Sequence, residues 1–274
     1  MDIQEVSLFI LLLCCAGLIA GLTSGLFGNG GGFVVVPALL AVFPFMPNST
    51  HEIMRVAVGT SLASIVISSA RSVQAHSRRG AVDFKVLRDW SIWVLLGVAV
   101  GLYIASFTES RNLIIVFATG VLVYSIYFLF PHLFDRFKGK LNMPTGMARA
   151  SLASFLGGFS SLLGIGGGTI TVMTMVLCNR PVHQAVATAS GIGFLIGLPG
   201  AIGFLIMGLH EPDLPFGSIG YINIPALIAI SAFSVISAPI GARWAHSLDE
   251  VNLKRLFGLY LVLVSITMYA KTLS

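Results

Sequence analysis

Gly21-Leu-Thr-Ser-Gly-Leu-Phe-Gly-Asn-Gly-Gly-Gly32 sets the architecture of this chain, because it recurs 136 residues later as Gly157-Gly-Phe-Ser-Ser-Leu-Leu-Gly-Ile-Gly-Gly-Gly168. Val56–Ser61 then matches Val186–Gly191. A third match pairs Gly101, Asn112, Leu113 and Phe117 with Gly241, Asn252, Leu253 and Phe257. One glycine-rich match could arise by chance, but three matches in the same order predict an internal duplication.

The composition places the chain in a lipid bilayer. Of its 274 residues, 56% are hydrophobic and only 10% are charged, and the mean hydropathy is +0.92. A soluble domain carries about 25% charged residues. The charge content therefore excludes a soluble enzyme, a disordered chain and a nucleic-acid binder, despite a net charge of +5. We predict an all-α polytopic membrane protein.

The cysteines and the first apolar run indicate no covalent or metal framework. Cys14, Cys15 and Cys178 lie inside apolar runs, whereas disulfide frameworks and zinc sites need cysteines in exposed loops or spaced clusters. We therefore expect no metal and no cofactor. The first run has an acidic leader and lacks a small-residue cleavage site, so we expect a retained transmembrane helix rather than a signal peptide.

Each copy of the duplication contains five apolar segments. A spanning helix needs about 20 apolar residues, and the long candidates are Leu8–Phe27, Ile53–Val73, Trp90–Phe107, Leu113–Phe130, Arg149–Leu163, Val182–Met207, Ile222–Ala245 and Leu253–Ala270. Phe33–Phe45 and Thr169–Cys178 are too short to span, at roughly 20 and 15 Å. We predict a first repeat over residues 1–131, a cytoplasmic linker over 132–148 and a second repeat over 149–274.

The basic residues predict the orientation of the segments. If all ten segments alternate sides, 13 Lys and Arg residues lie on one side and three on the other. If the short segments do not change side, the split falls to 10 against 6. Because Lys- and Arg-rich loops stay cytoplasmic, we expect residues 74–89 and 132–148 inside and both termini outside. Five segments per copy then make two inverted repeats, whether the short segments cross or form re-entrant hairpins with their long partners.

The glycine-rich turns predict an anion site. In each copy a long helix ends at Gly28 or Gly164, and a short helix begins near Phe33 or Thr169. The first turn of a helix leaves backbone N–H groups unpaired and carries partial positive charge, and glycine lets an anion approach these groups closely. The alternative is close helix packing by small residues.

Three motifs resemble the TauE/SafE sulfite-exporter family of bacterial membrane proteins. They are Gly28–Leu39, Ala57–Ser61 and Gly164–Gly168. The resemblance covers essentially the whole chain and implies export of sulfite, organosulfonates or related sulfur anions across the inner membrane. The second copy has Met173 where the first has Pro37, and Ile165 where the first has Asn29.

A polar stripe follows one face of the third segment. Thr60, Ser64, Ser68 and Arg71 are spaced 4, 4 and 3 residues apart and so share a helix face. The stripe is either an anion path that ends at a cationic mouth, or a set of hydroxyls bonded to their own helix beside a snorkelling arginine. The matched positions of the second copy, from Ser190 to Ala201, do not preserve it.

The combined prediction is a small sulfur oxyanion held near mid-membrane between the amides of the two turns. The expected substrate-binding residues are Asn29, Gly30, Gly31, Gly32, Thr60, Ser61, Arg71, Gly166, Gly167, Gly168, Thr169 and Ser190. A shared site requires the turns to meet, because turns on opposite faces of the bilayer would be ~30 Å apart. All eleven acidic residues lie in loops or at segment ends, so no mid-membrane carboxylate is available for protons or metal cations.

Two other classes of membrane protein are alternatives to a transporter. A membrane enzyme is disfavoured because His51-Glu52 and His210-Glu211 lack the second histidine of a zinc-protease helix, with Arg55 and Leu214 in its place. The chain also lacks a Gly-x-Ser-x-Gly motif and a phosphate-binding loop. A non-transporting scaffold needs no central site. We therefore predict a secondary carrier or uniporter that exports the anion without nucleotide hydrolysis.

Overall fold

The computed structural model describes residues 3–27, 30–46, 52–132, 141–244 and 250–273. Within these ranges the chain forms ten helices of eight residues or more. They are α1 (Ile3–Phe27), α2 (Gly32–Val42), α3 (Ile53–Ser77), α4 (Phe84–Phe107), α5 (Ser110–Leu129), α6 (Gly146–Leu163), α7 (Gly168–Leu177), α8 (Val182–Met207), α9 (Ile224–Trp244) and α10 (Glu250–Leu273). A two-stranded antiparallel hairpin, β1 (Ser218–Ile219) and β2 (Ile222–Asn223), precedes α9.

Seven of these helices are long and apolar enough to cross a membrane: α1, α3, α4, α5, α8, α9 and α10. This confirms the prediction of an all-α polytopic membrane protein. The predicted span at Arg149–Leu163 is the exception, because α6 contains Arg149 and four serines and ends at a glycine turn. α2 and α7 have 11 and 10 residues and are too short to cross.

The outer surface of the helical bundle is apolar. Large hydrophobic side chains more than half exposed include Ile92, Val100, Tyr103, Val123, Ile228, Ile236, Leu256 and Leu263. Such a surface is unfavourable in water and favourable against lipid. The interior contains aromatic side chains such as Phe33, Trp90, Phe117 and Phe204, each at most 1% exposed.

Two pairs of helices run parallel and pack closely. α1 lies along α9, where Gly17 faces the carbonyl of Ile230 and Leu22 faces Gly241. α4 lies along α6, with Gly157 against the carbonyl of Val94. A Cβ at Gly157 or Gly241 would overlap the facing carbonyl oxygen, so glycine is required for this approach.

Two further pairs run antiparallel across the centre of the bundle. On α3 and α8, Gly59 packs against Phe204, while the Ser72 and Ser190 hydroxyls lie 2.7 Å apart near the other end. On α5 and α10, the Arg111 guanidinium donates to the Thr272 carbonyl, and the Ser265 hydroxyl donates to that of Ala118. In the predicted duplication, α3 corresponds to α8, and α5 corresponds to α10.

Candidate functional site

The two glycine turns meet inside the protein. A Cβ placed on Gly30 would lie 3.9 Å from the Cα of Gly166 and 3.6 Å from the side chain of Ile65. Gly32 packs directly against the Gly164 carbonyl. The turns are therefore in contact rather than on opposite faces of the bilayer, which is the arrangement that a shared site requires.

Ile65 places the meeting point near the middle of the bundle. Its side chain contacts both Gly30 and Gly166, and it lies 12 residues from each end of α3. At ~1.5 Å per residue, each end of α3 is ~18 Å away. The glycine turns that precede α2 and α7 thus lie near mid-depth of the bundle. The distribution of basic residues along the sequence does not determine the depth of these turns.

The start of α7 presents buried, unpaired backbone amides. Gly167 is the N-cap, in the left-handed conformation with φ 64°, which non-glycine residues rarely adopt. The first amide that donates into the turn is that of Thr171, to the Gly167 carbonyl at 3.2 Å. The amides of residues 166–169 have no acceptor in the described part of the chain, and all four residues are buried. Four buried donors therefore lie at the positive end of the helix.

Two hydroxyl groups share this environment and also lack partners. Ser160 is 0% exposed and Thr169 is 6% exposed, and neither hydroxyl oxygen bonds to a described residue. The Ser160 Oγ lies 3.2 Å from the Cβ position of Gly167, so it is directed at the N-cap of α7. Buried hydroxyls are normally hydrogen-bonded. An anion at the α7 N-terminus would satisfy both.

Sequence reasoning identified Thr169 but missed Ser160. The signal was available in the duplication, because Ser24 and Ser160 are identical residues at matched positions of the two glycine-rich stretches. The hydroxyl was overlooked because it precedes the turn by a full helical turn of α6, and only the fold directs it toward Gly167.

The first turn is built differently. Gly31 caps α2 with φ 78°, and its carbonyl accepts from the amides of Val34 and Val35 at 2.9 and 3.1 Å. Phe33 occupies the position of Thr169, and its buried ring packs at 4.9 Å from that of Tyr124. Asn29, predicted as a donor here, lies outside the described residues. The described part of this turn thus offers amides but no hydroxyl in its first helical residues.

Thr60 and Ser61 lie close to the turns, but both oxygens already have partners. The Ser61 hydroxyl donates to the Gly164 carbonyl at 2.7 Å, and Thr60 Oγ1 accepts from the Asn223 amide at 2.9 Å. Ser64 and Ser68 donate to carbonyls of their own helix, at 2.7 and 3.1 Å. The stripe on α3 therefore follows the local-bonding alternative at these two serines.

Ser190 and Arg71 do not reach the turns. The Ser190 hydroxyl bonds to the Val186 carbonyl and to Ser72. Ser72 lies seven residues beyond Ile65 along α3. The side chain of Arg71 is exposed and has no hydrogen bond or ion pair with the described residues. The expectation that Ser190 joins Thr60 at one ligand is corrected, because an antiparallel α8 carries Ser190 toward the far end of α3.

Two hydrogen-bonded helix caps lie on α3 and α8, on either side of the glycine turns. The Asp83 amide donates to Thr188 Oγ1 at 3.0 Å, and Asp83 Oδ1 caps α4 by accepting from the Val86 amide. The Asn223 amide donates to Thr60 Oγ1, and Asn223 Oδ1 caps α9 by accepting from the Ala226 amide. The predicted duplication pairs Asp83 with Asn223, at the offset of 140 residues that pairs Gly101 with Gly241.

These caps correct the register in which α3 and α8 were matched. The sequence comparison paired Thr60 with Ser190, but the cap hydrogen bonds make Thr188 the counterpart of Thr60. The corrected offset aligns Ala57–Ser61 with Ala185–Ala189. It also aligns Ile65 with Gly193, which contact Gly30 and Gly166 respectively.

Charged residues are confined to the two ends of the bundle. At one end Asp83 pairs with Arg180 at 3.8 Å, and Asp89 pairs with Arg149 at 3.3 Å. Within the described residues, no group of three or more His, Cys, Asp or Glu side chains is placed to hold a metal ion.

At the other end, a single guanidinium ties three segments together. Arg55 bonds to Glu52 at 2.9 Å, to the Tyr221 hydroxyl at 3.0 Å and to the Thr108 carbonyl at 2.9 Å. Burial raises the pKa of Tyr221, and the hydrogen bond from Arg55 partly opposes this shift. The phenol is therefore neutral at physiological pH and accepts from Arg55.

Comparison with known proteins gives one family and a set of named relatives. The profile of the family described as Sulfite exporter TauE/SafE matches residues 13–268. A Probable membrane transporter protein of Haemophilus influenzae is 32% identical, over 96% of this chain and 99% of the relative. Proteins with the same description from Methanocaldococcus jannaschii and Bacillus subtilis are 27% and 29% identical, covering 91% and 72% of this chain and 91% and 78% of their own lengths. No solved structure matches the chain at a significant level.

Proposed function

This chain belongs to the sulfite exporter TauE/SafE family of membrane transporters, and from that premise we propose that it exports a small sulfur oxyanion, sulfite or an organosulfonate, across the bacterial inner membrane. The chain is a multi-pass membrane protein with seven helices suited to crossing. Its relatives are named as transporters and not as enzymes, so the membrane enzyme is excluded as an alternative.

The observation that carries the proposal is the buried donor cluster at the start of α7. Four amides and the hydroxyls of Ser160 and Thr169 lack acceptors there, and the other glycine turn is in contact at Gly30. Buried donors without acceptors are costly, and an anion supplies the acceptors that they need. The proposed site combines this cluster with the amides of Gly30, Gly32 and Phe33.

Alternating access in this proposal rests on inverted repeats, residues 1–131 and 149–274, joined by a linker at 132–148. The antiparallel contacts of α3 with α8 and of α5 with α10 support inversion, because these are repeat-equivalent helices. The close glycine contacts of one proposed repeat also have counterparts in the other. Gly21 faces the Ser234 carbonyl as Gly157 faces that of Val94. Binding near the interface of inverted repeats is the usual arrangement in secondary transporters.

The two caps act as the closures in this mechanism. Both are formed here, one through Thr188 and Asp83 and the other through Thr60 and Asn223, and residues 164–169 are buried. In the proposed cycle this is the state in which both caps are closed. Release of the Asp83–Thr188 cap opens the cytoplasmic side, and release of the Asn223–Thr60 cap opens the outer side.

Charge and membrane potential set the direction of transport. In the proposed topology both termini lie outside and 13 of the 16 Lys and Arg residues lie on the cytoplasmic side, where they concentrate anions at the inner mouth. With the interior negative, the potential drives a monoanion outward by ~2.3 kcal/mol per 100 mV. Export then needs no coupling ion.

Reconstitution tests the proposal directly. Purified protein in proteoliposomes is supplied with labelled sulfite, sulfoacetate, sulfate and thiosulfate under an imposed potential. We expect electrogenic uptake of at least one of these anions. Flux of a neutral or cationic solute, with no flux of any sulfur anion, would show that the assigned function is wrong.

A further inference from the structure

We infer that the carried anion is singly charged and is bound chiefly at the α7 side of the site, with Ser160 and Thr169 as its side-chain donors. This inference rests on the proposed function and adds the charge class of the substrate and an unequal division of binding between the two turns. Ser160 is a residue that neither the motifs nor the family comparison assigns.

The first step is the placement of the Ser160 hydroxyl. It is fully buried, has no partner among the described residues and lies 3.2 Å from the Cβ position of Gly167. Ile196 Cδ1 and Leu156 Cδ2 lie 2.6 and 3.0 Å from the same position. An oxyanion that reaches the Ser160 Oγ and the α7 amides together therefore displaces the ends of these two side chains. Thr169, in the first turn of α7, adds a second buried hydroxyl with no described partner.

The second step is the chemistry of the immediate surroundings of Gly166 and Gly167. Among the described residues, the atoms nearest to their Cβ positions belong to Ile65, Gly193, Ile196, Leu156 and Ser160, and none belongs to a cationic side chain. The donors are therefore backbone amides, hydroxyls and a helix dipole, which amounts to roughly half an elementary charge.

This donor set favours one negative charge over two. The free energy of transferring an ion from water into a low-dielectric site rises with the square of its charge. Neutral donors and half a charge of dipole offset a larger share of that cost for a monoanion than for a dianion. The site therefore selects hydrogensulfite or a monosulfonate over sulfate, thiosulfate and the fully deprotonated sulfite ion.

The third step is the difference between the two turns. Ser24 is the counterpart of Ser160, but Phe33 replaces Thr169, and the Phe33 ring packs against Tyr124. The three atoms nearest to the Cβ position of Gly31 all belong to Ala20, whereas Ser160 is among those nearest to that of Gly167. The α7 side thus carries both buried hydroxyls that lack a described partner, and Ser24 is a matched control.

The experiment uses methanesulfonate, a monoanion at all working pH values, with sulfate and thiosulfate as dianions. Initial uptake rates are measured in proteoliposomes for the wild type, S160A, T169V, the double variant and S24A. We expect methanesulfonate to enter at least about tenfold faster than either dianion. We expect the double variant to lose at least about tenfold of that rate, since a hydrogen bond to a charged group contributes ~1.5–3 kcal/mol, and S24A to keep it.

Thermal unfolding separates a binding role from a structural one. Without ligand, S160A should unfold at or above the wild-type temperature, because removal of an unpartnered buried hydroxyl is not destabilising. Methanesulfonate should raise the unfolding temperature of the wild type and of S24A, but not that of the double variant.

The outcomes distinguish this inference from the proposed function. Transport of methanesulfonate that is unchanged in the double variant would overturn the assignment of Ser160 and Thr169. Equal rates for sulfate and methanesulfonate would overturn the monoanion class. In both cases the proposed function would stand, whereas wild-type protein that moves none of the tested anions, sulfite included, would overturn the proposed function as well.

Discussion

The amide of Asn223 donates a 2.9 Å hydrogen bond to the hydroxyl of Thr60, which ties the hairpin before α9 to the inner part of α3. Both residues are fully buried. The Thr188 hydroxyl holds the loop before α4 in the same way, by accepting from the Asp83 amide. The molecule therefore carries two similar hydrogen bonds whose loss should have opposite consequences.

Thr60→Val and Thr188→Val should open opposite sides of the transporter. Each substitution keeps the shape of the side chain but removes the acceptor, and a buried N–H without a partner costs ~1–3 kcal/mol. A cysteine at Ser64, in a background without the three native cysteines, reports access to the site. In intact cells we expect an impermeant thiol reagent to label it faster in T60V and not in T188V.

Inside-out vesicles supply the reciprocal measurement. There the same cysteine should react faster in T188V and not in T60V. Equal labelling in both variants from both sides would show that the two caps do not act as separate closures.

Gly167→Ala should impair the protein more than Gly80→Ala. Both glycines have positive φ, at 64° and 65°, so both substitutions introduce backbone strain, ~1–2 kcal/mol each. At Gly167 the new Cβ also lies 2.6 Å from Ile196 Cδ1, whereas nothing lies within 4 Å at Gly80. Anion uptake and unfolding temperature should therefore both fall further in G167A, and similar losses in the two variants would exclude a packing or site contribution.

Arg55→Lys should destabilise the protein although the charge is kept. The guanidinium bonds to Glu52, Tyr221 and Thr108 at once, and an ammonium group cannot reproduce that fork. A loss of 1–2 hydrogen bonds, each ~1 kcal/mol, lowers the unfolding temperature by about 2–4 °C per kcal/mol. Arg71→Lys, on the exposed face of the same helix, is the control and should leave that temperature unchanged.

Single cysteines at Ser77 and Pro212 should report opposite sides of the membrane. Both residues are exposed, and they lie in opposite halves of the proposed topology: Ser77 is the last residue of α3, and Pro212 follows α8. In intact cells an impermeant thiol reagent should label Pro212→Cys and leave Ser77→Cys unmodified until the membrane is permeabilised. Rapid labelling of Ser77→Cys from outside would reverse the proposed orientation.

Local composition was sufficient to predict a membrane protein and the positions at which its helices begin and end. Apolar runs predicted the seven helices that are long and apolar enough to cross a membrane, and the glycine triplets marked where α2 and α7 begin, because hydropathy and positive-φ glycines act within a few residues. The predicted span at Arg149–Leu163 failed for the same local reason, since α6 is polar and stops at a turn. The matched stretches also carried the duplication, in which each copy repeats the long–short–long order.

Long-range packing decided which polar groups form the site. Ser190 matched Thr60 in sequence, yet the antiparallel contact of α3 and α8 places it beside Ser72, and Thr188 takes the role of Thr60. The Ser160 hydroxyl lies beside Gly167 only in the folded structure. These outcomes depend on how one helix is rotated and shifted against another, which is determined by contacts between residues about a hundred positions apart. The hydrophobic pattern within one segment does not determine that register. The sequence therefore predicts the two glycine turns, whereas helix packing brings Gly30 and Gly166 together.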